Sequence, residues 1–175
     1  IAKLEAKGGN AAGLAAKMIC WVSMRHSVAE LRRYRAGSEH FSVLEAVAGA
    51  TWIVLYDEDV RIPVMPVNAI PATFNGLAGY NVSNALHAIA AGHLGGIDVA
   101  AMRASLSRFE MSFEHTPGRL NFHDAGAIRF LVDYAHNPDG MAKLCEFVDR
   151  LQPTGGKLVA FSAAGYNTGA IIAGT

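Results

Sequence analysis

"FLVDYAHNPDG", residues 130–140, runs an apolar strand pattern straight into a helix start. Asn137 offers a side-chain acceptor for unpaired N–H groups. Pro138 has a φ preset for the first helical position, and Asp139 favours the positive end of the helix dipole. Beyond them Met141, Leu144, Cys145, Val148 and Leu151 recur on one face at helical spacing, over 138–151. "GKLVAFSAAG" (156–165) then reads as a second strand running into a glycine loop. Strand, helix, strand with a helical crossover predicts a parallel pair and an α/β sheet. In such sheets ligands sit beyond the carboxyl ends of the strands, where Asp133, Tyr134 and His136 stand. Capping accounts for Asn137, Pro138 and Asp139 without any ligand. It does not account for Asp133 or His136. Two readings stay open: hydrogen-bonded structural polar groups, or a site where a carboxylate takes ribose hydroxyls and a phenol or imidazole lies against a base.

Working upstream, "LNFHDAGAIRFLVDYA" (120–135) reads as a hairpin turning at Ala125-Gly126, and "TPGR" (116–119) as the turn before it. "NVSNALHAIAAGHLGG" (81–96) is an Ala-rich helix with Val82, Ala85, Leu86, Ile89 and His93 on one stripe, and Asn81 as its cap. Asp98 caps a second helix over 99–109, with Val99, Met102, Leu106 and Phe109 directed inward. "FSVLEA" (41–46), "TWIVLYD" (51–57) and "VRIPVMP" (60–66) are three strands of a small antiparallel meander. Pro63 and Pro66 place the last of them at an edge. "KMICWVSM" (17–24) is a further strand. Ser27 and Glu30 form a capping box for a helix that stops at Gly37. The Pro-Gly turn near 108–118 divides the chain into domains 1–110 and 111–175.

Bulk properties narrow the function. The chain has 175 residues, 51% of them apolar, and its 15 basic and 15 acidic residues balance. Balanced charge predicts no general affinity for nucleic acid or membrane surfaces. No apolar run reaches the roughly 18 residues that span a bilayer. "ELRRYR" (30–35) reads as a solvated helix face. Cys20 and Cys145 read as small core residues in a reducing compartment, hence a cytoplasmic protein. His87 and His93 are six residues apart and the other histidines are scattered, so no metal-ligand spacing is visible and no metal site is expected. No G-x-x-x-x-G-K-[ST] phosphate loop occurs. The start at Ile1 and the stop just past a strand read as a piece of a longer protein.

Three segments in order, "IPATFNGLAGYNVSNALHAIAAG" (70–92), "HTPGRLN" (115–121) and "FLVDYAHNP" (130–138), resemble the muramyl (Mur) ligase family, most closely its cyanophycin synthetase branch. "WIVL", "RIPVMPV" and "FSAAG" are similar to that branch as well. The resemblance implies an α/β chain: the end of a Mur-ligase central ATPase domain (1–110), then the start of a Rossmann-like C-terminal domain (111–175). It implies an ATP- and Mg-dependent amide ligase that phosphorylates a carboxylate and lets an amine attack the acyl phosphate. In the cyanophycin branch the amine is arginine and the acceptor poly-aspartate. The alternatives are a peptidoglycan- or folate-type amide ligase, or a non-catalytic degenerate module for assembly or polymer binding. Partners would be a nucleotide and an amino-acid or polypeptide substrate, in a homo-oligomeric parent enzyme. Carried over residue by residue, Asn84 would meet the adenine edge, Arg119 the phosphates and Asp133 the ribose, with Tyr134 and His136 lining the same pocket. The Mg ligands and the catalytic lysine would fall before Ile1, so the chain by itself is expected to be inactive. "GYNTGAII" (165–172) lacks the Arg-Asp loop that the family carries after "FSAAG".

Overall fold

The computed structural model describes residues 18–34, 39–152 and 154–161. It is a mixed α/β structure that divides into two compact units. The first holds the described residues through Pro66 together with Ser83–Ala104; the second holds Val67–Val82 and the described residues from Ser105 onward. Among the described residues, no helix is long and apolar enough to cross a membrane.

The first unit is built on a four-stranded sheet in the order β1 (Cys20–Ser23), β2 (His40–Val47), β3 (Ala50–Asp57), β4 (Val60–Pro66). β1 runs parallel to β2, and the other pairs are antiparallel. Helix α1 (Val28–Tyr34) lies between β1 and β2 in the chain. Its capping box forms as expected: Glu30 N–H donates to Ser27 Oγ, and Ser27 N–H donates to Glu30 Oε2 at 2.7 Å. The expected stop at Gly37 lies outside the described residues. Arg32 pairs with Asp59 at 3.0 Å, on an exposed face. β2 and β3 join through Ala48 and Gly49, both at positive φ, the conformation a two-residue hairpin loop with right-handed strand twist demands.

Alternation along β2 sorts two faces. Phe41 and Val43 point to one side, where they pack with Val54 and Val28 of α1. Ser42 lies on the other side and donates to the Leu86 carbonyl of helix α2 (Gly79–Leu94) at 3.0 Å. Ile89 of that helix is fully buried. β4 is an edge strand, as its two prolines require; the ladder slips at Ile53/Val54, opposite Pro63. Arg103 of helix α3 (Val99–Leu106) donates to the carbonyls of Pro63 and Val64, beside the irregular step of the ladder. Asp98 accepts from the N–H groups of Ala100 and Ala101, the expected cap. The helix is shorter than expected, and Phe109 is 45% exposed rather than inward. The Arg-Phe end lies beyond the last helical turn, so its stripe has no face to fill.

The second unit is organised by aromatic packing. Strands β5 (Asn121–Ala125) and β6 (Ile128–Val132) form the expected antiparallel hairpin, and helix α4 (Pro138–Arg150) follows. Phe74, Phe122 and Phe147 meet ring to ring at 5.3–6.2 Å, with Ala78 and Leu120 buried beside them. The core face of α4 carries Leu144, Phe147 and Leu151, while Cys145 is exposed. The expected core position for Cys145 is therefore wrong: it sits a third of a turn off the buried stripe. Cys20 is half-buried, and burial pushes its thiol up to about 11. Asn81 does not cap α2; its side-chain amide donates to the Ala72 carbonyl at 2.7 Å. The second strand expected over 156–165 does not form across the described residues 156–161. Leu158, Val159 and Phe161 are exposed there, and β6 has only β5 as a sheet partner among the described residues. Residues 162–165, and the tail "GYNTGAII", lie outside the described residues.

Candidate functional site

The hairpin explains why two distant motifs meet in the second unit. Asn121 opens β5 directly opposite Val132, the last residue of β6. The Pro-Gly-Arg turn thus abuts the segment that leaves β6, and four of the five sequence-predicted residues gather there. Gly118 takes positive φ, and the buried Asn121 side chain holds the turn closed. Its Oδ1 accepts from Gly118 N–H at 2.6 Å and from Arg119 N–H at 3.3 Å, and its Nδ2 donates to the Arg119 carbonyl. Leu120, also at positive φ, donates its N–H to Asp133 Oδ2 at 3.0 Å. Asp133 therefore has a structural bond on one oxygen.

Above this frame the exposed side chains stack. The Arg119 guanidinium lies 5.3 Å from the Tyr134 ring centroid, a cation–π distance. The Tyr134 and His136 rings are 5.1 Å apart with 36° between their planes, and His136 Nδ1 lies 3.0 Å from the Tyr134 carbonyl. Asn137 accepts from Gly140 N–H at 2.8 Å, the cap the sequence promised. Behind the cluster Tyr80 buries its hydroxyl, which has no hydrogen-bond partner among the described residues. Burial first, and the charge of Asp133 second, hold that phenol well above the usual tyrosine range. Neither Tyr80 nor Asn121 stood out in the sequence. Asn121, one residue past the P-G-R-L turn in a chain segment reading as strand, was the available signal.

Asn84, the fifth predicted residue, is exposed on α2 and belongs to the first unit. The four residues of the second unit offer a guanidinium fork, a carboxylate and stacked rings, donor types that suit the phosphate, sugar and base of a nucleotide. They do not suit Mg, which wants an octahedron of oxygens: Asp133 is the one carboxylate of the four, and one of its oxygens serves Leu120.

The first unit holds a second polar cluster. His40 opens β2 directly opposite Asp57, the last residue of β3, with Nδ1 to Oδ1 at 3.0 Å. His93, in the last turn of α2, brings Nε2 to 3.2 Å from His40 Nδ1 and 3.6 Å from Asp57 Oδ1. All three are half-buried.

No protein-family model matches the chain. Its homologues among characterised proteins are cyanophycin synthetases and Mur ligases. It is 35% identical to the cyanophycin synthetase of Synechocystis sp. over 105 residues, 60% of this chain and 12% of that protein. It is 40% identical to the cyanophycin synthetase of Crocosphaera subtropica over 79 residues, 45% of this chain and 9% of that protein. It is 27% identical to the UDP-N-acetylmuramoyl-L-alanyl-D-glutamate–2,6-diaminopimelate ligase of Chlamydia felis over 144 residues, 82% of this chain and 26% of that protein. The resemblance read from the three ordered motifs is thus borne out, over a small fraction of each relative's length.

Proposed function

We propose that the chain is part of an ATP-dependent amide ligase of the cyanophycin synthetase and Mur ligase type. Residues 1–110 would be the end of its central ATPase domain and 111–175 the start of its Rossmann-like C-terminal domain. The observation that carries this reading is the meeting of Arg119 with Asp133, Tyr134 and His136 at the open end of the β5–β6 hairpin. Two motifs that the family shares come together there, on exposed side chains and the half-buried Asp133. Arg119 would hold phosphate oxygens, and its stack on Tyr134 presets the fork. Asp133 would hold the ribose through Oδ1, with Oδ2 fixed by Leu120. The Tyr134–His136 pair would lie against the nucleotide, and Asn84 would read the adenine edge with an amide that both donates and accepts.

ATP supplies the phosphoryl group that activates a carboxylate, and Mg would come from ligands outside the second-unit cluster. Stabilising the transferring phosphoryl is the bulk of such catalysis. The 175 residues contain no phosphate loop, so the chain alone should not hydrolyse ATP. The acceptor we favour is poly-aspartate and the amine arginine, because five cyanophycin synthetases match at 31–40% identity against three diaminopimelate ligases at 26–38%, and "WIVL" and "RIPVMPV" are similar to the cyanophycin branch. We place the enzyme in the cytoplasm as a homo-oligomer, with no nucleic-acid or membrane partner. The test is phosphate release by the full-length protein with ATP. Release that requires both arginine and a poly-aspartate primer supports the reading. Release that instead requires diaminopimelate and a muramyl dipeptide precursor moves it to the peptidoglycan branch. No amine-dependent release with either pair leaves the non-catalytic module.

A further inference from the structure

We infer that His40, Asp57 and His93 form a binding site for a divalent transition ion of the zinc class, separate from the nucleotide cluster. Three ligand atoms sit at mutual distances of 3.0, 3.2 and 3.6 Å. Ligands at zinc's bond lengths of roughly 2.0–2.1 Å in a tetrahedron stand about 3.3 Å apart, so one point lies near 2 Å from all three. His40 Nδ1 faces both the Asp57 carboxylate and His93 Nε2. If only His40 Nδ1 carries a proton, His93 Nε2 turns a lone pair toward Asp57. If only His93 Nε2 carries one, His40 turns a lone pair toward Asp57 at 3.0 Å. If both carry protons, both N–H groups turn to the one oxygen of Asp57, at 3.0 and 3.6 Å, and stand 3.2 Å apart. One cation satisfies all three atoms at once.

The ligands stand on rigid elements, not on a loop: His40 and Asp57 are a cross-strand pair, and the Ser42–Leu86 hydrogen bond holds α2 on the same face of the sheet. His93 ends the apolar stripe that packs α2 down, so the ligand arrives where that stripe meets the sheet's polar end. Two imidazoles and one carboxylate suit zinc and its neighbours, not magnesium. Three protein ligands leave a fourth position for water or a small anion. The ion would pin α2 to β2 and β3.

The probe is zinc alone, titrated by calorimetry into the full chain. The expected result is one zinc per chain, unaffected by millimolar magnesium. His93→Gln and Asp57→Asn should each weaken it by at least about 100-fold, since losing even an outer-sphere partner costs about 10–100-fold. His123→Gln, at an exposed histidine elsewhere, should change nothing. Absence of zinc binding, or affinity unchanged in both ligand variants, overturns the site. Should the variants fail to fold, zinc-edge X-ray absorption of the wild-type complex decides. Two imidazoles in a light-atom shell support the site, and sulfur coordination or no imidazole overturns it.

Discussion

The two polar clusters differ in how the chain assembles them. In the second unit, Asp133, Tyr134 and His136 fall within four residues, and a hairpin returns Arg119 to them. The contacts there stay within one hairpin: Asp133 reaches back to the Leu120 backbone, Arg119 to the Tyr134 ring, and His136 to the Tyr134 carbonyl. In the first unit, His40, Asp57 and His93 come from two strands and a helix, and the helix contact joins residues 53 apart. The first kind of cluster is visible in a sequence because one turn makes it. The second kind exists only once a helix has docked on a sheet.

The largest effect should come from breaking the scaffold that makes the local cluster possible. Phe147→Ala removes the ring that packs on both Phe74 and Phe122, and it should cost about 3–5 kcal/mol in chemical denaturation. If the motif cluster were held by its own turns alone, the loss would stay near 1 kcal/mol. Next is the effect of the ion on stability. Zinc at 100 times its dissociation constant should stabilise the chain by about 2.7 kcal/mol, visible as a rise in Tm that His93→Gln abolishes. Smaller again is the cap: Asn137→Ala should cost about 1 kcal/mol in thermal melts, because Gly140 N–H loses its acceptor.

The smallest effect at neutral pH concerns Tyr80. Its hydroxyl is buried without a hydrogen-bond partner among the described residues, so Tyr80→Phe should leave stability at pH 7 unchanged or slightly raised. Alkali separates the two proteins. The folded state holds the Tyr80 phenol above its ordinary value of 10.0, so the neutral form is favoured on folding. That stability is present in full below pH 10 and drains away as pH rises beyond it. Urea melts from pH 8 to 11 should show a steeper loss for the natural chain than for Tyr80→Phe. Equal slopes would mean the phenol ionises freely in the folded state.

Much of the fold was legible because it rests on local signals. The meander, the edge position of β4, the Ser27–Glu30 box and the Asn137 cap follow from alternation, prolines and side-chain acceptors. What failed had no local signature. Residues 156–161 have a strand's composition, but a strand needs a partner edge, and none of the described residues supplies one. Cys145 and Phe109 fit a stripe drawn by spacing, yet the aromatic triad fixes which face of α4 is inward, and α3 stops before Phe109. Of the candidate site, the motif residues could be named from the sequence, while Asn121, which closes the turn, and the buried Tyr80 could not. The His40–Asp57–His93 cluster was invisible for the same reason: no spacing along one element encodes it.

The central claim is that Asp133 serves a nucleotide as well as the Leu120 backbone. Asp133→Asn keeps an oxygen for Leu120 N–H while removing the charge and replacing the other oxygen with an amide NH2, so the hairpin should survive. The direct measurement is the equilibrium ATP affinity of the full-length protein carrying that change. At least a tenfold loss, about 1.4 kcal/mol, with an unaltered circular dichroism spectrum is the predicted result. Unchanged affinity with the hairpin intact would contradict the account and leave Asp133 as a structural carboxylate.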